Sequence, residues 1–334
     1  SPAKAQRVYQ QGTNETHKQL METYNTRKVI GMGETIMDII FRNGQPQAAV
    51  YGGSSFNSLI SVGRAGIPCV FVGETGADTV GQQTLDFMRA NHVDTSFCPM
   101  RQEVKSAISL AYLNDHGDAS YIFYKQTPLA PSQWTLPKVN ADDIFLYGSY
   151  YASCQGMRPL VKDMLGHART DGAIVYYDIN FRNSHSHERE SLLPVIADNC
   201  RQSHIVRGSA DDFQVLFDTR DVSLIYEKHV RELCPLFICT NGADEVTVCT
   251  PSGTLHFPVP HVGDVVSTVG AGDNFNAGLA CSLIWKGITR DKLSDLTPED
   301  WQSILSTACA FSGNACRNYD NYISPEFGLQ ISIQ

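Results

Sequence analysis

The segment Ser267 to Ala280 reads STVGAGDNFNAGLA. Two glycines flank an alanine, Asp273 follows at once, and Phe275, Leu279 and Leu283 then share one face of a helix. The glycine turn therefore lies at a helix N-terminus, where the first N–H groups lack intrahelical partners and the macrodipole is positive. Glycine lets such a backbone approach an anion closely, so Gly270, Ala271 and Gly272 have the makings of a phosphate cradle. Asp273 stands beside it, in reach of a hydroxyl attacking a bound phosphoryl group. A plainer reading stands alongside: aspartate is a good N-cap, and Gly-Ala-Gly is a tight turn.

A second glycine site lies upstream in YGGSSFNSLISVGRAG (51–66). Gly52 and Gly53 precede Ser54, Ser55 and Asn57, which open another apolar-periodic helix. Small polar groups there suit a ligand with several hydroxyls, since Asn both donates and accepts; an ordinary loop would read the same way. The usual nucleotide signatures are missing. No G-x-x-x-x-G-K-[ST] occurs. GMGETI (31–36) has two glycines of a dinucleotide fingerprint but Ile36 in place of the third, which speaks against a nicotinamide site. His185 and His187 in NSHSHER lack a third ligand at helical spacing and read as loop surface. Trp134, Trp285 and Trp301 read as packing residues.

The elements that must position these residues alternate along the chain. KVIGMGE, CVFVGET, DIFLYGS, AIVYYDIN, HIVRGS and LFICTNG are short apolar strings ending in Gly, Ser, Asp or Asn, as buried strands with ligand-facing loops would. Helical stretches separate them, among them SFNSLISVGRAG, TVGQQTLDFMRANH and ADDFQVLFDT. This alternation predicts a doubly wound, mostly parallel α/β sheet flanked by helices. Two segments break it. Residues 106–125 alternate as a hairpin, with Ile108, Leu110 and Tyr112 on one face and Ser109 and Ala111 on the other; residues 41–53 read as another short β segment. Together they suggest a small antiparallel β lid, inserted at about 40–51 and 97–125. NGADEVTVCTPSGTLHF (241–257) reads as a further hairpin.

With 334 residues the chain can bury a large core. Residues 1–26 are polar and read as an N-terminal extension to a single domain over 27–330. The net charge of −9 argues against a nucleic-acid surface but not against anion binding through local amides. No apolar run is long enough to span a membrane, and the first residues carry no apolar leader core. Ten cysteines without a C-x-x-C pair suit buried thiols in a reducing cytoplasm.

GMGETIMD, GGSSFN and GAGDNFNAG, in this order, resemble the ribokinase-like (PfkB-type) carbohydrate kinases over approximately residues 28–325. YDINFR (177–182) looks like the D-x-N-x-R segment of the fructokinase and ketodeoxygluconate kinase branches. The resemblance implies ATP-dependent transfer of the γ-phosphoryl group to a primary hydroxyl of a monosaccharide, fructose or a related ketose or keto-sugar acid. It makes Asp273 the general base and the amides of Gly270, Ala271 and Gly272 the anion hole. Asp38, Gly53 and Asn57 match sugar-binding positions, and Asn180 and Arg182 match polar residues near substrate and phosphates. Ser209, Thr240 and Gly242, with Gly270 and Gly272, match the ATP side. The family's N-x-x-E segment, associated with Mg²⁺ and phosphate, aligns with Ser209-Ala210-Asp211-Asp212, which makes Asp212 an indirect Mg²⁺ residue, held through water; a solvated helix-start acid is the plainer reading. Ser267 stands where the family has an aspartate that helps hold a monovalent cation, so K⁺ activation is doubtful. A nucleoside kinase of the same fold, with a more aromatic sugar-side pocket, and an inactive sugar sensor are the alternatives. Lid-to-lid homodimers occur in the family. Beside helix amides, Asp273 is expected to keep a low pKa and to act through geometry more than basicity.

Overall fold

A computed structural model describes residues 27–334, so the expected extension over 1–26 lies outside the described residues. The chain starts with β1 (Val29–Met32), β2 (Ile36–Arg42) and β3 (Gln45–Gly52), and enters α1 (Ser54–Arg64). Next come β4 (Cys69–Val72), β5 (Thr75–Gly76), α2 (Thr79–Ala90), β6 (Val93–Phe97), β7 (Met100–Arg101) and the hairpin β8 (Ala107–Leu113) and β9 (Ala119–Tyr124). The middle runs β10 (Ile144–Gly148), α3 (Ser149–Ser153), α4 (Arg158–Thr170), β11 (Ile174–Asp178), α5 (Arg189–Gln202), β12 (Ile205–Ser209), α6 (Ala210–Phe217) and α7 (Val222–Ile225). It closes with β13 (Phe237–Asn241), β14 (Glu245–Thr250), β15 (Gly253–Pro258), α8 (Ala271–Trp285), α9 (Pro298–Ala315) and α10 (Pro325–Ser332).

All six apolar strings are strands of one nine-stranded sheet, ordered β15-β14-β13-β12-β11-β10-β1-β4-β6. The sheet is parallel from β6 to β13; β14 and β15 form the antiparallel edge hairpin. Every residue of β1, β4, β10 and β11 is buried, as strands covered by helices on both faces must be. Their pleat divides the core in two. Ile144, Leu146, Ile174 and Tyr176 face the layer of α1, α8 and α9; Phe145, Tyr147, Val175 and Tyr177 face that of α4 and α5. Gly278 lets α9 cross α8 closely, since a Cβ there would lie 2.8 Å from Ala308 Cα.

From β1 the chain winds outward through β4 and β6, then returns to β10 and winds the other way through β13. The crevice between β1 and β10, at the strands' C-terminal ends, is thus the topological switch point where an open α/β sheet takes its ligand.

Over that end lies a small sheet ordered β3-β2-β8-β9. Its two hairpins are antiparallel and join through parallel pairing of β2 with β8. The β segment expected from residue 41 begins earlier, at Ile36. Residues 36–40 alternate buried and half-buried, which makes Asp38 a strand residue. In β8 the small face turns inward: Ser109 and Ala111 are wholly buried, whereas Tyr112 is exposed. All ten cysteines are free thiols, nine of them buried. Among the described residues no helix is long and apolar enough to cross a membrane.

Candidate active site

The glycine turn does begin a helix, and Gly270 is its N-cap with φ 81°. A side chain is excluded there twice over, because the backbone is left-handed and a Cβ would meet the Asn321 carbonyl oxygen at 2.6 Å. No side chain caps the helix, although the Ala271 amide closes the turn onto the Thr268 carbonyl at 3.1 Å. Asp273 is the third helical residue rather than the cap, so its carboxylate takes its partners from elsewhere.

Those partners come from α1. Ser54 Oγ donates to Asp273 Oδ1 at 2.8 Å and Asn57 Nδ2 to Oδ2 at 2.9 Å, while Ser58 Oγ donates to the Asp273 carbonyl at 2.7 Å. The double glycine allows this approach. At Gly53, φ is 127° and a Cβ would lie 2.2 Å from the Glu34 carbonyl oxygen. Two helix starts are thereby stitched together around one carboxylate.

Asp273 is 8% exposed, and its pKa departs from the low value expected: burial pushes it up to about 6. Asp178 adds to the rise, while the hydrogen bonds from Asn57 and Ser54 and the Arg182 charge oppose it. Desolvation outweighs the favourable end of the helix.

Asp38, Gly53, Asn57, Asn180, Arg182, Gly270 and Asp273 line one cavity between the strand ends and the small sheet. Asp38 is buried on β2, accepting from Ser109 Oγ at 2.5 Å and from Asn321 Nδ2 at 2.8 Å; burial raises its pKa. Asn180 has φ 39° and donates to Ser149 Oγ at 2.7 Å. Arg182 reaches over the cavity mouth to the ring of Tyr121 on β9, 4.8 Å from its centroid. Beside it, Lys125, the residue after β9, pairs with Glu34 at 2.7 Å.

Four aromatic groups were not anticipated here. Tyr121 and Phe123 stack along the lid at 5.5 Å, and Tyr150 stacks on His185 at 3.9 Å. His185 is thus a cavity residue, contrary to its reading as loop surface, because a 3₁₀ turn over Asn183–Glu188 folds it against Tyr150. His187 does point outward, with its side chain 73% exposed. The reading of 106–125 as a hairpin carried the signal for Tyr121 and Phe123, which share one face of its second strand; nothing local marked Tyr150 or His185.

Ser209 and Thr240 in the ends of β12 and β13, Asp212 in the first turn of α6 and Gly242 just after β13 all lie outside the cavity lining. Ser209 caps α6 and accepts from the Asp212 amide at 3.1 Å, while Asp212 Oδ2 accepts from the Ser209 amide at 2.8 Å. Asp212 is therefore buried rather than solvated, with its pKa pushed up to about 6 by burial and by Asp178. Gly242, with φ 53°, turns β13 into β14. Thr240 accepts from Arg207, a buried residue that the sequence reading passed over.

A sequence model of the pfkB family carbohydrate kinases matches residues 26–319. The chain belongs to this family. It is 28% identical over 260 residues to aminoimidazole riboside kinase of Salmonella typhimurium, across 77% of this chain and 81% of that protein. A fructokinase of Rhizobium leguminosarum bv. trifolii is 26% identical, across 76% of this chain and 79% of its own length. In structure the chain resembles fructokinase from Vibrio cholerae O395 in its fructose-, ADP- and calcium-bound form. That likeness has a TM-score of 0.78 at 19% identity and covers 93% of this chain and 100% of the other. The chain is accordingly a phosphotransferase acting on a sugar hydroxyl.

Among the described residues no three His, Cys, Asp or Glu side chains converge as a metal cage. Asp212 has one carboxylate oxygen committed to its own helix cap. Ser267 is buried and its hydroxyl accepts from the Val269 amide at 3.1 Å, while the adjacent Val266 carbonyl accepts from Arg42 at 2.8 Å.

Proposed function

We propose that this kinase transfers the γ-phosphoryl group of ATP to a primary hydroxyl of a monosaccharide, a ketose such as fructose being the first candidate. The observation that carries this reading is the Asp273 carboxylate, buried in the acceptor cavity in the first turn of α8 and fixed through both oxygens. In it Asp273 takes the acceptor proton as the oxygen–phosphorus bond forms. The amides of Gly270 and Gly272 face the transferring phosphoryl group and neutralise its charge; the Ala271 amide, expected to join them, is instead engaged by the Thr268 carbonyl. A pKa of about 6 suits such a base, ionised at neutral pH yet more basic than a solvated aspartate. Asp38, Gly53, Asn57, Asn180 and Arg182 hold the sugar, and the small sheet is the lid above it. Ser209, Thr240 and Gly242 border the nucleotide, and Mg²⁺ comes with the phosphates, Asp212 reaching it through water. Magnesium supplies charge neutralisation of the phosphates when bound.

The four aromatic groups favour a second acceptor class. Tyr121, Phe123, Tyr150 and His185 offer flat surfaces for a planar base attached to a riboside, which a free hexose does not need. ADP release measured against fructose, ribose, 2-keto-3-deoxygluconate, adenosine and other ribosides decides between them. The reading expects a ketose to give the highest kcat/KM. Turnover on ribosides alone would replace it with the second, and binding of sugar without ADP release would leave only a sensor.

The lid's outer face supports a homodimer. Tyr112, Ile122 and Tyr124 are 38, 48 and 60% exposed there, and Tyr112 stacks on Phe41 at 4.8 Å. A second copy placing the same face against it would bury this strip. Sedimentation should give a dimer for the parent and a monomer for Ile122→Glu.

A further inference from the structure

A buried ion pair beneath the glycine turn belongs to neither the acceptor cavity nor the nucleotide positions. Asp178 ends β11 and Arg207 lies in β12; they meet at 3.0 Å with side chains 3 and 7% exposed. Burying two charges costs desolvation that an apolar pair would avoid, so strand packing alone does not account for them.

Their surroundings point towards α8. Arg207 also donates to Thr240 Oγ1 at 2.5 Å, and Asn276 of α8 donates to the same Asp178 oxygen at 2.7 Å. Tyr176 orients Asn276 by donating to its Oδ1 at 2.7 Å. The guanidinium carbon lies 5.6 Å from the centre of the Phe275 ring. Most tellingly, a Cβ on Gly272 would fall 2.8 Å from Arg207 Nη1, so the guanidinium abuts the glycine turn from behind. Asp178 Oδ1 and Arg207 Nε are buried without a hydrogen-bond partner, which leaves both charges incompletely quenched.

Asp273 feels charges from each element packed against it. Asp178 faces it from β11, Arg182 from the following loop and Tyr121 from β9; α1 contributes only the neutral donors Ser54 and Asn57. Asp178 is the carboxylate among these that opposes ionisation of Asp273, and Arg207 is the cation paired with it, offsetting part of its charge.

We propose that Arg207 and Asp178 are positioning residues for phosphoryl transfer: the guanidinium props the Gly272 turn, and its pairing with Asp178 keeps that carboxylate from holding Asp273 protonated. This rests on Asp273 being the base. A device of this kind separates shape from charge. Arg207→Lys keeps a positive charge but loses the planar fork that spans Asp178 and Thr240. Arg207→Met loses both. Asp178→Asn keeps the shape and an acceptor for Arg207 while removing the negative charge.

The experiment is the pH profile of kcat at saturating MgATP and sugar. ATP's own protonation is common to every variant and cancels from the comparison. Arg207→Met should move the acid limb to higher pH by about one unit, and Asp178→Asn should move it to lower pH by a similar amount. Arg207→Lys should lower kcat with the limb in place, and the double variant Asp178→Asn/Arg207→Met should bring the limb back towards the parent. Acid limbs that coincide in parent, Arg207→Met and Asp178→Asn would overturn the proposal, whatever the loss of turnover. If Arg207→Met is recovered unfolded, Asp178→Asn decides alone, and a limb that stays or rises overturns it. Asp273→Asn separates the two levels. If it retains the parent's acid limb, the reading of Asp273 as base fails. If it abolishes the limb but Asp178→Asn leaves the parent's limb unmoved, only the present proposal fails.

Discussion

Two helices of this kinase, α6 and α8, carry a buried aspartate at the same third position. At α6 the N-cap is Ser209, and Asp212 folds back on it, so cap and carboxylate satisfy each other locally. At α8 the N-cap is Gly270, which has no side chain to offer, and Asp273 is held across a helix interface by Ser54 and Asn57. Burial drives both acids up to about 6. One glycine in place of a serine thus decides whether a helix start is closed upon itself or left open to a ligand. The proposed chemistry uses the open one.

The sharpest way to break this comparison is to neutralise each acid in turn. Asp273→Asn should lower turnover by ~10²–10⁴, about 3–5 kcal/mol, with KM for the sugar nearly unchanged. The parent's kcat should fall as pH drops through about 6, since Asp273 is protonated below its raised pKa and cannot accept a proton. That limb should vanish in Asp273→Asn. Asp212→Asn should instead weaken a cap, costing about 0.5–2 kcal/mol in denaturant unfolding, with a far smaller loss of turnover. Near-normal turnover in Asp273→Asn, or a larger loss in Asp212→Asn, would reverse the assignment.

Closing the open helix start should have the next largest effect. Gly270→Ala puts a Cβ 2.6 Å from the Asn321 carbonyl and forces an L-residue into the left-handed region, itself worth roughly 1–2 kcal/mol. Backbone cannot retreat as a flexible side chain can, so the turn must move. Both thermal stability and kcat should fall, and kcat should fall further than stability explains at temperatures where the variant is fully folded. A stable variant with unaltered kcat would show that the shape of the turn is not what binds the phosphoryl group.

How much of this was legible in the sequence follows the range of the forces involved. Strands buried on both faces leave unbroken apolar strings, and those strings ended where the strands end. Gly270 and Gly53 were visible because their positive φ angles are local demands. Asp38 was legible as a residue but not as part of a strand, since IMDIIFR alternates too weakly to announce a strand. The clamp on Asp38 was beyond reach, because Asn321 is 283 positions away. Arg207 was hidden by its own setting: within HIVRGS it looks like an interruption, and only Asp178, Thr240 and Gly272 from three other elements explain it. His185 was misread because its partner, Tyr150, lies on α3, 35 positions earlier in the chain.

The smallest effect is expected at Ser267, the first residue of the segment that closes at α8. A monovalent cation needs several oxygens whose partial charges are not already spoken for. Here the Ser267 hydroxyl is engaged by the Val269 amide, and Arg42 already lays a positive charge on the Val266 carbonyl. A second cation at this turn would be repelled by that guanidinium, and the carboxylate at the turn, Asp118, already accepts from Thr268 Oγ1 at 3.1 Å. Exchanging potassium for tetramethylammonium at constant ionic strength should therefore leave turnover unchanged, and a marked loss would show that carbonyl oxygens alone suffice. Ser267→Asp sharpens the point, since its carboxylate would be buried beside a backbone that cannot neutralise it. That variant should be less stable than the parent without potassium and recover stability and turnover with it, whereas Ser267→Ala should respond to neither salt.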